Sequence, residues 1–378
     1  MSRKDIEAVG EIPRIDLGDL KDIDDFRQIT EERRHEIGRE VVKAFHRVGF
    51  LFVRAPRDYV DKLETMYDEC ENLFMLDYAT KMHYASEKFN YQRGYTSVFT
   101  EEALYCKRVL LEGETERRVI KNYAENWFMG PEGYENARFA KPEHNKYSLA
   151  NVWPVEVPGL RDPSIAVYEE TREMSSSIMD TTEPFLGVSD GYFREVTKDS
   201  PTLLRQLHYP PAPRHLINYE NVRSGKGEIV GACQHTDINY WTTLPKARNV
   251  LKNAGGGLRV KTRQGKEITG VAPEGYFIMQ VGDMLQHETG GYFTSAQHRV
   301  ISPELPNPMP PELRGRILLG RLSAAMFTHP RPDHMLSIKN LNIRGHIPKN
   351  YKDMYAHDEL ERRLNLIFGK KDEAKDAY

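Results

Sequence analysis

Two side chains that could share a metal ion stand two residues apart in the stretch GACQHTDINYWTTL: His235 and Asp237. At positions i and i+2 of an extended segment, an imidazole and a carboxylate point to one face. A third ligand should come from a neighbouring strand. The strongest candidate is His298, in VGDMLQHETGGYFTSAQHRVIS, which follows Asp237 by 61 residues. That is enough chain to cross a barrel and return. Two histidines and one carboxylate leave three positions of an octahedron open, an arrangement suited to Fe(II) that must bind oxygen and a co-substrate together. The same donors can hold zinc for hydrolysis. With 13 histidines in the chain, the HxD triplet alone is weak evidence.

The elements that must position these residues fall into two halves. The first half reads as helices around short strands. Residues 12–17 and 49–56 are strand-like, and helices are predicted over about 25–48, 58–77 and 164–186. In the first helix Ile37, Val41, Phe45 and Val48 recur at helical spacing, a core stripe. From about Leu203 the pattern changes to short apolar segments divided by turn residues: IVGAC, GGLRVKT, KEITGV, GYFIMQV and RILLGRLSAAMF. Gly265 stands at the turn of a predicted hairpin between the second and third of these. Such a succession predicts a sandwich or barrel.

Bulk properties narrow the function. The net charge of −3 gives no global basic field for nucleic acid. No apolar run approaches a membrane span, and the first residues lack the apolar stretch of a secretory signal. The three cysteines, Cys70, Cys106 and Cys233, fit no zinc or redox spacing. The expectation is a cytoplasmic monomer or homodimer, with neither nucleic acid nor membrane as partner.

Motifs along most of the chain resemble those of the isopenicillin N synthase-like family of Fe(II)- and 2-oxoglutarate-dependent oxygenases. In order they are EIPRIDL, VGFLFVRAP, RGYTS, NVWPVEVPGLR, HYPP (from His208), HTDINYWTTL, VGDMLQHETGGYFTSAQHRV and RLSAAMF. The resemblance implies a mainly β fold with α: a double-stranded β-helix, or jelly roll, flanked by N-terminal helices. It implies a helical N-terminal region at 1–165, a jelly-roll core at 166–350 and a charged C-terminal segment at 351–378. It also implies His235, Asp237 and His298 as Fe(II) ligands, and Arg321 and Ser323 as the pair that holds the distal carboxylate of 2-oxoglutarate. Tyr209 matches a tyrosine that often assists. O2 is the other substrate. A C–H bond is oxidised by hydroxylation, desaturation or ring closure, while 2-oxoglutarate becomes succinate and carbon dioxide. Asp237 stands where related halogenases carry Ala or Gly.

One departure concerns the co-substrate arginine. The family places it about ten residues after the last histidine; here Arg321 follows His298 by 23. The intervening chain is proline-rich and contains a second candidate, Arg316. Only Arg321 keeps a serine two residues on. Two alternatives stay open: an oxidase of the same family that uses no 2-oxoglutarate, and a non-catalytic ligand-binding protein on the same fold.

The remaining candidates have plainer readings. His287 and Glu288 are adjacent, so a strand would point them to opposite faces. His329 and His334, in THPRPDH, read as packed or solvated loop residues. Tyr240 and Trp241 fit either core or pocket, and Gly255–Gly257 is a turn rather than a phosphate loop. Arg93, Lys107, Arg108 and Arg314 motivate a carboxylate-bearing substrate, such as an amino-acid derivative in specialised metabolism.

Overall fold

The computed structural model describes residues 12–368, apart from 19–20, 86, 88–90, 102–121, 212–229, 251–256, 264, 304–307, 309–310, 312–318 and 344–348. Thirteen strands build its two larger sheets. They are β1 (Arg14–Ile15), β2 (Phe50–Arg54), β3 (Gly94–Thr96), β4 (Glu125–Met129), β5 (Leu203–Tyr209), β6 (Val230–His235) and β7 (Trp241–Leu244), then β8 (Arg248–Asn249), β9 (Gly257–Lys261), β10 (Glu267–Thr269), β11 (Tyr276–Val281), β12 (His298–Ile301) and β13 (Arg321–Thr328). The larger sheet runs β1-β2-β11-β7-β13-β5-β4-β3, with β8 attached to β13. The smaller runs β10-β9-β12-β6. Strands from the N-terminal region therefore share a sheet with those of the core. This is the sheet-rich, helix-flanked jelly roll that the motifs imply.

Strand alternation sorts the side chains into two layers. On β13, Leu322, Ala324 and Met326 join the apolar core that also holds the helices, while Ala325 joins a second cluster inside the roll. On β11, Phe277, Met279 and Val281 face the helices and Ile278 faces inward. The period of two thus turns Arg321 and Ser323 to the interior on one strand, and Gln280 on another.

The helical side follows the apolar stripes, with one correction. The helix predicted over 25–48 is two helices, Ile23–Arg27 and Glu31–Arg47. Thr30 separates them: its backbone is extended, and its Oγ1 accepts the Arg33 N–H at 3.3 Å, which starts a new helix. The other predicted helices form as Arg57–Met75 and Arg161–Asp180. A short further helix, Glu183–Leu186, takes the end of the third stretch. The hairpin at Gly265 is present: β9 and β10 pair antiparallel, and Gly265 has a φ of 80°, which suits glycine. No described helix is long and apolar enough to cross a membrane.

Candidate active site

Strand pairing brings the two histidines together. His298, first residue of β12, stands directly opposite His235, last residue of β6, and their ring centroids lie 4.3 Å apart. Asp237 reaches the same point differently from the sequence-based expectation. It lies beyond the end of β6, so strand alternation does not aim it. The loop is held instead. The Asp283 N–H donates to the Asp237 carbonyl at 2.7 Å, and Thr236 Oγ1 donates to the Asp283 carboxylate at 2.9 Å.

The ligand atoms form a built cluster, all lying within 4.8 Å of one another. His235 Nε2 and His298 Nε2 each stand 3.6 Å from the same atom, Asp237 Oδ1. The rest of each group is committed elsewhere. His235 Nδ1 is 2.6 Å from the Cys233 carbonyl and His298 Nδ1 is 3.1 Å from the Ala296 carbonyl. A carbonyl only accepts, so each Nδ1 carries the proton and each Nε2 presents its lone pair to the cluster. On the carboxylate, Thr242 Oγ1 donates to Oδ2 at 2.5 Å and Gln280 Nε2 donates to the same oxygen. Oδ1 is left for a metal. Burial alone would raise the Asp237 carboxyl, but the pull of His298 and His235 whenever they carry charge, together with these two donors, holds it below its ordinary range. Burial drives the His235 imidazole down to about 4, leaving it neutral and able to ligate near neutral pH. The donor set and its supporting bonds fit Fe(II).

Two cavities meet at His235 and Asp237. The first, about 200 Å³, extends inside the roll to Tyr209, Arg321 and Ser323. Arg321 and Tyr209 are cross-strand partners on β13 and β5, and the guanidinium sits 5.4 Å from the tyrosine ring centre. Among the described residues, no carboxylate pairs with Arg321, and burial lowers its pKa below the usual arginine value. An unpaired guanidinium with a hydroxyl two residues on, in the wall of a cavity that the ligand cluster also lines, fits a small dicarboxylate. The second cavity, about 120 Å³, is also lined by His235 and Asp237 and reaches the C-terminal helix Ala356–Ile367.

Residues 12–156 match the family described as "non-haem dioxygenase in morphine synthesis N-terminal", and residues 201–330 match the "2OG-Fe(II) oxygenase superfamily". The chain belongs to the isopenicillin N synthase-like family of Fe(II)/2-oxoglutarate oxygenases. Its cofactors are Fe(II) and 2-oxoglutarate, with O2 as co-substrate. The oxygenase is 28% identical over 298 residues to a 2-oxoglutarate-dependent dioxygenase of Penicillium crustosum, covering 77% of this chain and 80% of that one. It is 25% identical over 301 residues to a probable iron/ascorbate oxidoreductase of Dictyostelium discoideum, covering 74% and 75%. Its fold is similar to that of a full-length Neurospora crassa protein solved in complex with alpha-KG, with a TM-score of 0.69, 20% identity and coverage of 93% and 95%. It is likewise similar to a 2OG-Fe(II) oxygenase family protein of Caulobacter crescentus, with a TM-score of 0.67, 23% identity and coverage of 94% and 99%.

The oxygenase also holds groups that sequence reasoning missed. Gln280 and Thr242 orient Asp237. The only sequence sign of Gln280 was a polar residue in the apolar strand GYFIMQV. Glu288, fully buried, lies on the helix Asp283–Glu288 rather than a strand and accepts hydrogen bonds from Tyr192, Tyr240 and Asn340. His334 Nε2 is 3.1 Å from the same carboxylate. His329 is buried and lines the second cavity. Conversely, Arg93 lines neither cavity. It is 2% exposed, with one nitrogen donating to the Gln92 carbonyl, and burial lowers its pKa to about 10. Lys107, Arg108, Arg314, Arg316 and Cys106 lie outside the described residues.

Two expected results follow from the supporting geometry. Gln280→Leu or Thr242→Val should lower iron affinity about 10–100-fold, because each removes a donor that fixes the ligating carboxylate. Competition with a metal chelator would measure it. A Cβ on Gly282 would fall 2.0 Å from the Asn239 carbonyl oxygen, on the loop just past Asp237. Gly282→Ala should therefore destabilise the fold by roughly 1–3 kcal/mol, as overpacking does, and weaken iron binding as well. Urea unfolding with and without Fe(II) would separate the two effects.

Proposed function

We propose that this oxygenase oxidises a C–H bond of a small molecule, with His235, Asp237 and His298 holding Fe(II) and with Arg321, Ser323 and Tyr209 holding 2-oxoglutarate. The observation that carries the reading is one juxtaposition. Two Nε2 atoms stand 3.6 Å from a single carboxylate oxygen, and the cavity they line is also lined by an arginine with no described carboxylate partner. The jelly-roll core over 166–350 would then carry the chemistry, between an N-terminal region at 1–165 and a C-terminal segment at 351–378.

The protein's own work is placement. The backbone carbonyls of Cys233 and Ala296 hold the protons on Nδ1 and aim both imidazoles. Gln280 and Thr242 fix Oδ2 and aim Oδ1. Arg321 fixes one end of a dicarboxylate, so that its other end is delivered to the ligand cluster, and two N–H donors in a planar fork set its orientation as well as its affinity. Leu207, Leu244, Ile278, Val300 and Ala325 line the same cavity and make its wall largely apolar. When bound, Fe(II) with 2-oxoglutarate and O2 supplies the oxidising power, released with succinate and carbon dioxide as products. Hydroxylation, desaturation and ring closure are all compatible outcomes of this arrangement.

A second reading has one observation in its favour. The chain is 24% identical over 303 residues to a 1-aminocyclopropane-1-carboxylate oxidase of Dictyostelium mucoroides. An oxidase of that kind would use no 2-oxoglutarate. The intact ligand cluster counts against a non-catalytic binding protein. Oxygen uptake by the Fe(II)-loaded protein decides among the readings. Uptake that requires 2-oxoglutarate and yields an equal amount of succinate supports the proposal. Uptake without it supports the oxidase, and no uptake with bound iron across a broad set of small molecules supports the binding protein.

A further inference from the structure

The second cavity has a lining unlike the first. One wall is apolar: Leu360, Leu364, Ile367 and Phe368 from the C-terminal helix and its end, facing Phe128 and Ile238. That wall is fixed in place, since Arg363 on the same helix donates to Asp283 Oδ2 at 2.5 Å, the carboxylate that also receives Thr236 beside Asp237. The polar side of the cavity contains a single arginine among the described residues, Arg205, whose charge is already matched. Its Nη2 donates to Glu101 Oε2 at 2.6 Å, and its guanidinium lies 5.2 Å from the Phe128 ring centre. A substrate carboxylate placed there would meet Glu101 and Asp237 as well.

Two groups in this lining keep a buried nitrogen without a hydrogen-bond partner among the described residues, Arg205 Nε and His329 Nδ1, and only Arg205 has a carboxylate beside it. His329 follows the end of β13 and is 5% exposed. Its backbone N–H is taken by Thr202 Oγ1 at 3.1 Å, but its Nδ1 is buried without any hydrogen-bond partner. Neither ring nitrogen has a hydrogen-bond partner among the described residues, so the imidazole in this wall is uncommitted and can serve a ligand group. No carboxylate hydrogen-bonds to the ring among the described residues, so the imidazole is a hydrogen-bonding group rather than half of an ion pair.

We infer that the second cavity takes a compact, uncharged, largely apolar substrate whose polar group is hydrogen-bonded by the imidazole of His329, with the C-terminal helix as the wall that packs its apolar body. This rests on the reading above, in which the first cavity is filled by 2-oxoglutarate and the second is left for the molecule to be oxidised. A substrate anchored by its own carboxylate is the alternative that the lining disfavours.

Three probes of matched shape test it: benzamide, benzoate and toluene. Each is titrated under argon into the full-length protein loaded with Fe(II) and 2-oxoglutarate, following perturbation of the visible charge-transfer band. Benzamide should bind about fivefold more tightly than benzoate or toluene, the factor that one net hydrogen bond supplies. His329→Leu should remove that preference, whereas His329→Gln, which keeps a hydrogen-bonding group, should retain most of it. The band formed by each variant reports that the ligand cluster has folded. Tighter binding of benzoate, an unchanged benzamide preference in His329→Leu, or no binding of any probe would overturn the inference. A band that never forms in the wild-type protein would instead overturn the reading of the first cavity.

Discussion

Asp237→Ala will leave a folded protein whose turnover is below about one-thousandth of the wild-type value. The substitution removes the single anionic ligand and the one oxygen that stands 3.6 Å from both Nε2 atoms. Two neutral imidazoles without an anionic partner should hold Fe(II), which is low in the order of divalent-ion affinities, far more weakly than the full set does. The fold should survive for a physical reason. Asp237 accepts from Thr242 and Gln280, and both are polar groups that a water in the vacated space can satisfy. His235→Ala should give the same result, because it removes the ligand most open to the cavities. Iron content after desalting, activity and a thermal melt together check the expectation. Global unfolding of both variants would mean that the cluster is a structural element and not a metal site.

Arg321→Leu should show two opposite effects in one protein. The affinity for 2-oxoglutarate should fall about 100-fold, since a charge-assisted pair of hydrogen bonds to a buried carboxylate contributes roughly 1.5–3 kcal/mol. Yet the variant without 2-oxoglutarate should melt at a higher temperature than the wild type without it. Arg321 carries its charge in a poorly hydrated wall without a carboxylate partner among the described residues, and this lowers its pKa. An uncompensated charge of that kind is costly until the ligand arrives. The wild-type protein should therefore gain thermal stability on adding 2-oxoglutarate, by the usual linkage between ligand binding and folding, while Arg321→Leu gains little. Differential scanning fluorimetry across a 2-oxoglutarate series reads both effects. Equal stabilisation of the two proteins would remove Arg321 from the co-substrate site.

The site was legible in the sequence wherever its logic is local or periodic. The two-residue spacing from Arg321 to Ser323 works as expected, because both lie on β13 and alternate inward. His298 could be chosen from the strand count, and the structure sets it opposite His235. Asp237 was found with the wrong reason attached. Its side chain is aimed by contacts from Asp283 and Gln280, more than forty residues away. Such contacts have no periodic signature. The same holds for His329, which shares a proline-rich loop sequence with His334 but not its surroundings. One lines a cavity without a partner, and the other lies against the buried Glu288 carboxylate. Arg93 shows the reverse failure. Its charge in a promising segment suggested a substrate contact, but it is folded into the interior, beside Gly130, where only the absence of a Cβ leaves room for it. The split of the first long helix at Thr30 was readable from capping chemistry, since a threonine followed by two glutamates is a start signal within an apparently continuous stripe.

One cluster and one arginine should together hold iron and a dicarboxylate. The most direct test is an anaerobic titration of the apo-protein with Fe(II) and then with 2-oxoglutarate, followed by visible absorbance and compared with Arg321→Leu. A weak charge-transfer band should appear only when both are present, and should need about 100-fold more 2-oxoglutarate in the variant. Bound iron with no band at any 2-oxoglutarate concentration would contradict this.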